Sequence, residues 1–298
     1  MTLDTFADLP HTEQLPRRRD WMFKSLRGPA RALVNRFWSI SIHGREQLPP
    51  RGPMILVANH LGVLDGPLLV IAHPQPTFAL AKVELFSGPL GTLLQYVGQI
   101  SIDRRRADLR GVTRAIHLLR TGGVLAVFPE GKRTGGDVAM AERGAAYLAM
   151  VTGAPVVPVA LLGTRGPGKT TGHVPGYRSP LHIAYGAPMQ VPLVPWPRTK
   201  LAVAEWTERI RRRLADHIVA SEELTGMRLP GPPIPRIPKP ARRLLAFRAR
   251  RQAAASGKNR HAAASGTKGR AVPGDGRRAA SRPEHDEPPQ PLSSTGEQ

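Results

Sequence analysis

Between residues 39 and 225, short apolar runs alternate with stretches whose apolar residues recur at helical spacing. We predict strands at SISIH (39–43), MILVA (54–58), FALA (78–81), GQISI (98–102), VLAVF (124–128), VVPVAL (156–161) and LHIAY (181–185). Predicted helices lie at 66–73, 85–96, 107–121, 139–152 and 199–222. Strands that are apolar throughout need cover on both faces. The alternation therefore predicts an α/β fold with a mixed, mostly parallel sheet flanked by helices.

The two ends of the chain differ from this middle. From residue 229, Pro, Gly, Ala, Arg and Ser dominate, and we predict a disordered basic tail over 229–298, because such a segment buries too little apolar surface to offset chain entropy. Residues 1–38 form a predicted basic, amphipathic helical segment, and the domain between spans 39–228. Pro29 suits a first helical turn, so the regular helix is expected to begin there. Its apolar stripe, which either packs on the core or lies on an anionic membrane, comprises Leu26, Ala30, Leu33, Val34, Phe37 and Trp38.

Composition narrows the choice of partners. The 298 residues carry a formal net charge of +21, which favours an anionic partner such as a phosphorylated substrate, a membrane surface or nucleic acid. The chain has no cysteine, which excludes disulfides, thiolate metal sites and a cysteine nucleophile, and is compatible with a reducing cytosol. We find no secretory signal, and the apolar stretch 53–73 is interrupted by Asn59, His60 and Asp65, so a strand, a turn and a helix are expected there instead of a membrane span.

The octapeptide GTRGPGKT (163–170) matches the phosphate-binding P-loop pattern of nucleotide hydrolases. Such a loop needs a helix directly after it, but the following residues, TGHVPGYRSP, show no helical period, and Pro167 removes one backbone N–H. We therefore expect an ordinary loop, in which Arg165 and Lys169 help to attract an anionic donor or the membrane. A nucleic-acid-binding protein is equally disfavoured, because Phe247 is the only aromatic residue of the tail.

Three polar clusters follow predicted strands, which is where open α/β sheets usually place their sites. In NHLGVLD, the spacing of His60 and Asp65 lets the carboxylate reach one ring nitrogen and leaves the other free to take a proton. Asp65 also suits a helix N-cap. Since no G-x-S-x-G elbow occurs, we expect His60 to deprotonate a substrate hydroxyl. No further cluster has metal-ligand spacing, so no metal is expected.

The other two clusters contain several cations. Asp103-Arg104-Arg105-Arg106 follows GQISI, and Glu130-Gly131-Lys132-Arg133 follows VLAVF and Pro129. Arginines at strand ends favour bidentate contacts with phosphate or carboxylate. Together the clusters indicate an anion site beside a histidine base.

In order and spacing, these blocks resemble those of the 1-acylglycerol-3-phosphate acyltransferase family over about residues 35–225. The matching blocks are Asn59-His60-x4-Asp65, Gly98 to Arg104, Phe128-Pro129-Glu130-Gly131-x-Arg133 and Val156 to Val159. The resemblance implies direct acyl transfer to a lysophospholipid hydroxyl, without an acyl-enzyme. The donor is expected to be a thioester co-substrate, acyl-CoA or acyl-carrier protein, with no other cofactor and no specific nucleic acid. Peripheral association with the cytoplasmic side of the cell membrane is also implied.

The resemblance also implies roles for individual residues. His60 is the implied general base and Asp65 its orienting partner. The residues implied to bind the acceptor phosphate and complete its site are Lys82, Arg104, Glu130, Gly131 and Arg133, with Asn59, Pro129 and Pro158 in support. Glycerol-3-phosphate, another lysophospholipid or a glycolipid stays open as acceptor. The chain departs from the family at Lys132, where the family commonly has Thr, and in having a basic helix where many members have a hydrophobic N-terminal anchor.

Overall fold

A seven-stranded sheet is the frame of the fold. The computed structural model describes residues 10–13, 15, 20–105 and 108–235. In chain order its strands are β1 (Ser39–His43), β2 (Met54–Ala58), β3 (Thr77–Lys82), β4 (Ile100–Ile102), β5 (Val124–Val127), β6 (Val156–Leu162) and β7 (Pro180–Tyr185). They are ordered β1-β7-β6-β2-β5-β3-β4, and every neighbouring pair is parallel except β6 and β7.

Helices cover both faces of this sheet. They are α1 (Asp20–Phe37), α2 (Asp65–Ala72), α3 (Gly88–Tyr96), α4 (Leu109–Arg120), α5 (Gly144–Thr152) and α6 (Lys200–Thr225), with 3-10 turns at Arg45–Gln47 and Val83–Leu85. Ile55 and Val57 of β2 pack with α4, α5 and α6, whereas Leu56, between them, packs with α1 and α2. This alternation follows from the two-residue period of a strand. The predicted fold class, a mostly parallel sheet flanked by helices, is confirmed.

Helix α1 begins earlier than predicted. It starts at Asp20 and runs through Pro29, so the expected start at Pro29 is wrong. Arg27 donates hydrogen bonds to the carbonyls of Ile71 (3.2 Å) and Pro74 (2.6 Å), which anchors the part of the helix that precedes the proline. Tertiary hydrogen bonds thus compensate for the intrahelical bond that a proline removes.

The remaining predicted elements are present, with ends that differ by a few residues. Strand β4 begins at Ile100 because Gly98, at φ 74°, belongs to the turn that ends α3. Helix α5 begins at residue 144 and not at 139, since residues 139–143 form the loop before it. Arg106 and residues 236–298 of the predicted tail (229–298) lie outside the described residues, and the division of the chain after residues 38 and 228 stays a prediction.

Strand direction brings distant loops to one edge of the sheet. Strands β2 to β6 all end at the same edge, which we call the carboxyl edge. Strands β1 and β7 run the opposite way and therefore begin there. The end of α1 and the loop 163–179 consequently lie at the edge where the loops after β2, β4 and β5 begin.

Candidate active site

His60 and Asp65 form a hydrogen-bonded pair directly after β2. The Oδ2 atom of Asp65 lies 2.8 Å from Nδ1 of His60 and also accepts hydrogen bonds from the backbone N–H groups of Leu61 (2.6 Å) and Gly62 (2.8 Å). The Asp65 side chain is fully buried. Its carboxylate holds the ring so that Nδ1 carries the proton, which leaves Nε2 as the nitrogen that can accept one.

The N-cap role expected for Asp65 is wrong. Asp65 is the first residue of α2, the N-cap position is Leu64, and the Asp65 carboxylate turns back to the preceding loop. The turn is tight: a Cβ atom on Gly62 would stand 2.8 Å from the carbonyl oxygen of Thr164. Only glycine therefore fits there without a shift of the backbone.

The ring of His60 is held on its other side by a residue of the third block. It stacks on Phe128 with centroids 4.2 Å apart and an interplanar angle of 22°. The His60 side chain keeps 15% of its surface exposed. Asn59 joins β2 to β6 beside it, since its side-chain amide donates to the Leu161 carbonyl (3.0 Å) and accepts from the Leu161 N–H (2.7 Å).

Glu130 bonds to the loop that carries His60. One carboxylate oxygen accepts from the backbone N–H of His60 (2.7 Å), and the other accepts from the hydroxyl of Thr134. The backbone N–H of Thr134 in turn donates to the His60 carbonyl (2.9 Å). Burial raises the pKa of Glu130 to about 7, against the lowering effect of the His60 N–H. Its predicted place on the acceptor side stays a prediction. Thr134 belongs to none of the sequence blocks, so no motif or spacing predicted its place beside Glu130.

Arg165 is buried, so the surface role expected for it is wrong. It is 1% exposed and donates to the carbonyls of Leu61 (3.0 Å), Thr134 (2.7 Å), Gly231 (2.6 Å) and Lys169 (3.2 Å). The planar guanidinium carries five N–H donors that point in different directions, so one arginine can bond to several carbonyls at once. Burial lowers the pKa of Arg165, and the nearby Asp65 charge opposes that shift.

The octapeptide that contains Arg165 is a loop between β6 and β7, and no helix follows it. The P-loop match is therefore accidental, as the residues after it predicted. The Lys169 side chain is exposed, and its role toward an anion stays a prediction.

The predicted anion-binding cations lie at the ends of three neighbouring strands. Lys82 is the exposed last residue of β3, and Arg104, two residues after β4, donates to the Gly131 carbonyl. Arg133, after β5, has a buried Nε atom that finds no acceptor among the described residues. The structure thus brings the second and third blocks into contact, whereas Lys132 points to solvent.

Gly131, Pro129 and Pro158 take part in the turns beside the candidate site. Gly131 has φ 66°, a left-handed conformation that favours glycine. The carbonyl of Pro129 accepts from the N–H of Glu142 (2.7 Å), and that of Pro158 accepts from Gly186 (2.8 Å). Val156 to Val159 form part of β6 and are buried, which agrees with a mainly structural role.

The described ranges contain neither a group of metal-ligating side chains nor a candidate membrane-spanning helix. Among those residues, no three or more His, Asp or Glu side chains are grouped so that they could hold a metal ion. None of the helices in them is both long enough and apolar enough to cross a membrane.

The chain is similar to known acyltransferases. The acyltransferase family profile matches residues 39–162. A 1-acyl-sn-glycerol-3-phosphate acyltransferase of Borreliella burgdorferi is 31% identical over 42% of this chain and 52% of its own. A lyso-ornithine lipid O-acyltransferase of Pseudomonas aeruginosa is 38% identical over 38% of this chain and 44% of its own. The chain thus matches about half the length of these curated relatives.

A solved structure has a similar fold. The 1-acyl-sn-glycerophosphate acyltransferase PlsC from Thermotoga maritima superposes with a TM-score of 0.52 and 23% sequence identity, over 69% of this chain and 85% of its own. The family resemblance seen in the four sequence blocks is confirmed by these matches. All four sequence blocks fall within the matched range, residues 39–162.

Proposed function

We propose that this chain, whose residues 39–162 match the acyltransferase family profile, moves a fatty acyl group from a thioester to the free hydroxyl of 1-acylglycerol-3-phosphate. The product is phosphatidate, and the donor is acyl-CoA or acyl-carrier protein. One observation carries the proposal: His60, oriented by a buried carboxylate, stands at the same edge of the sheet as Lys82, Arg104 and Arg133. A base and an anion site are what transfer to a phosphorylated alcohol requires.

The chemistry follows from this geometry. Nε2 of His60 takes the proton of the acceptor hydroxyl while the oxygen attacks the thioester carbonyl. The C–S bond then breaks, the thiolate leaves, and the proton held on His60 neutralises it. Asp65 keeps Nδ1 protonated throughout. Lys82, Arg104 and Arg133 hold the acceptor phosphate. General-base assistance of this kind contributes about 10²- to 10⁴-fold to the rate.

The substrates imply where the reaction takes place. The acceptor is a membrane lipid, and the donor is a water-soluble thioester, so we place the enzyme at the cytoplasmic side of the cell membrane as a peripheral protein. The basic helix α1 supports this placement, because Leu33 and Phe37 are 60% and 46% exposed on it. Basic residues near an anionic surface each contribute about 1 kcal/mol to binding.

The first test is the His60→Ala variant. We expect its rate of thiol release from acyl-CoA in the presence of 1-acylglycerol-3-phosphate to fall at least about 10²-fold, because the base is lost. His43→Ala is the matched control, since His43 ends β1 at the edge of the sheet away from the site and both stacks on and hydrogen-bonds to His182. A His60→Ala variant as fast as the wild type would refute the proposed mechanism.

The same assay identifies the acceptor. Glycerol-3-phosphate, a lyso-ornithine lipid and other lysophospholipids are supplied in parallel, and the new lipid is detected by mass. The cations around the site favour a phosphorylated acceptor, so 1-acylglycerol-3-phosphate is expected to be the fastest. A lyso-ornithine lipid that reacts faster would leave the acyl transfer standing and overturn the acceptor.

A further inference from the structure

Helix α3 is an apolar helix that the body of the protein hardly covers. Residues 85–102 contain no charged side chain. Within α3, only Gly91 is buried, and it packs against the preceding residue Phe86. Five large apolar side chains of α3 and of the 3-10 turn before it are between 42% and 52% exposed: Val83, Leu85, Leu90, Leu93 and Tyr96.

A cavity separates this helix from the strand and helix that follow it. It measures about 540 Å³ and is lined by Val83, Phe86 and Gln95 on the side of α3 and by Gln99, Ser101 and Arg114 on the other. The leucines of α3 therefore do not fill the core. A patch of this kind on a protein that acts alone in water is unfavourable, and it indicates a binding surface.

The position of α3 links it to the candidate site. The segment follows β3, so it leaves the sheet at the carboxyl edge, immediately after Lys82. Arg104 and Arg105 lie at the same edge after β4, and the acidic side chain of Glu84 is paired with Arg105 (3.1 Å). An uncharged helix bordered by cations suits a surface with anionic headgroups over hydrocarbon.

The opposite side of the same edge is also apolar. A groove of about 440 Å³ lies between the end of α1 and the loop 174–177, and exposed Leu33, Phe37 and Tyr177 line it. The guanidinium groups of Arg36 and Arg178 lie 5.4 and 5.9 Å from the centre of the Tyr177 ring. The site is thus flanked on both sides by apolar surface with basic residues.

We propose that α3 and the 3-10 turn before it dock into the hydrocarbon of an anionic lipid bilayer. The carboxyl edge then faces the membrane, with α1 on one side of the site and α3 on the other. The proposal rests on the proposed function, because that function supplies a lipid acceptor. It adds a second docking element, which sets the orientation of the site on the membrane.

The absence of cysteine allows a direct test. A single Leu93→Cys substitution in the full chain is labelled with the fluorophore NBD, whose emission shifts to the blue in hydrocarbon. The probe is a vesicle of equal parts phosphatidylglycerol and phosphatidylcholine. We expect a blue shift and a several-fold rise in emission when vesicles are added. The His60→Ala background is measured too, so that the result does not depend on catalysis.

Leu201→Cys is the matched control. Leu201 is 79% exposed and lies at the start of α6, which follows β7 and so begins at the edge away from the site. Its label is expected to keep a water-like emission while the protein sediments with the vesicles. Protein that fails to sediment with vesicles, or a water-like label at position 93 on sedimented protein, would overturn the proposal. A blue shift at position 93 that grows with protein concentration without vesicles would assign the surface to a second copy instead.

A double substitution separates docking from chemistry. Leu90→Glu with Leu93→Glu is expected to weaken vesicle binding on the order of 100-fold, since each apolar side chain is replaced by a charge. Turnover of an acceptor in vesicles should fall, whereas turnover of a short-chain acceptor in free solution should persist. Equal loss with both acceptors would place α3 in the substrate site and overturn docking. No turnover by the wild type with either acceptor would refute the proposed function alone, because the label and sedimentation results do not depend on turnover.

Discussion

The carboxyl group of Glu130 changes its charge near neutral pH. Burial raises its pKa to about 7 from an ordinary value of 4.5, and nearby Asp137 and Asp65 act in the same direction. Both of its oxygens accept hydrogen bonds from the segments that hold His60. A buried ionised carboxylate is costly even with such donors. The folded protein therefore binds a proton that the unfolded chain releases between these two pKa values.

This linkage predicts how stability depends on pH. The folded state is favoured by Glu130 below about pH 4.5, and that contribution is lost as the pH rises through about 7. Glu130→Gln keeps the shape and does not ionise, so the variant should gain about 1–3 kcal/mol relative to the wild type between pH 5 and pH 8. Urea unfolding at the two pH values measures this difference.

Glu208→Gln is the control for the Glu130 experiment. Arg211 and Arg212 hydrogen-bond to Glu208 and lower its pKa to about 2, so it is ionised throughout the range from pH 5 to pH 8. Its substitution is expected to shift stability equally at both pH values. An identical pH dependence in the wild type and Glu130→Gln would show that Glu130 is ionised normally in the folded state.

At the scale of elements, Arg165 joins loops that are far apart in the sequence. It connects the turn after β2 at Leu61, the loop after β5 at Thr134, its own loop after β6, and Gly231 beyond α6. The Leu61 carbonyl belongs to the turn whose N–H groups hold Asp65. The arginine thus supports the His60–Asp65 pair through the backbone of Leu61.

Arg165→Met is predicted to lower the free energy of unfolding by about 3–5 kcal/mol, because one buried and three partly buried carbonyls lose their donor and Asp65 loses a compensating charge. Lys169→Met is the matched control in the same octapeptide, and its exposed side chain should contribute less than about 0.5 kcal/mol. Denaturant unfolding distinguishes the two. Equal stability of the two variants would mean that the arginine contacts do not stabilise the loops.

Helix α1 shows how one amphipathic stripe is divided by tertiary contacts. Val34 and Trp38 pack on the core under β1, whereas Leu33 and Phe37, one residue before each, stay exposed. The sequence offered two alternatives for the stripe, core packing or a membrane surface. Val34 and Trp38 take the first, and the exposed Leu33 and Phe37 remain available for the second.

At the scale of the whole molecule, the described segment after α6 lies against the body. The N–H of Leu229 donates to Glu222 (2.5 Å), the Gly231 carbonyl accepts from Arg165, and the N–H of Ile234 donates to the Lys169 carbonyl (3.3 Å). Residues up to Arg236 belong to the same unit as the sheet. Residues 229–235 therefore pack against the loops that surround Arg165.

Two truncated chains test whether residues 229–235 stabilise the domain. A chain that ends at residue 235 should keep the thermal midpoint of the full chain, because all of these contacts are retained. A chain that ends at residue 228 should melt lower by several degrees, since loss of about 1–2 kcal/mol shifts the midpoint of a domain this size by about 2–4 °C per kcal/mol. Equal midpoints for the two chains would show that residues 229–235 do not stabilise the domain.

Most of the sheet and the contact between His60 and Asp65 were predictable, for local reasons. Runs such as 54–58 and 156–161 are apolar at every position, a pattern that specifies a buried strand without knowledge of its neighbours. His60 and Asp65 are five residues apart, so a single turn brings them together. Sequence spacing is enough to predict a contact between two side chains when both lie within one turn.

The sequence by itself determined the strands, the His60–Asp65 pair and the clustering of cations at one edge of a parallel sheet. Only the tertiary structure decided that Arg165 is buried and hydrogen-bonds to the Leu61 carbonyl, 104 residues before it in the sequence. The same holds for Glu130, which accepts a hydrogen bond from the backbone of His60, 70 residues before it. The tertiary structure also decided that α3 is uncovered. Whether a side chain is buried, and which groups it meets there, depends on how elements pack across the sheet, and apolar periodicity alone does not contain that information.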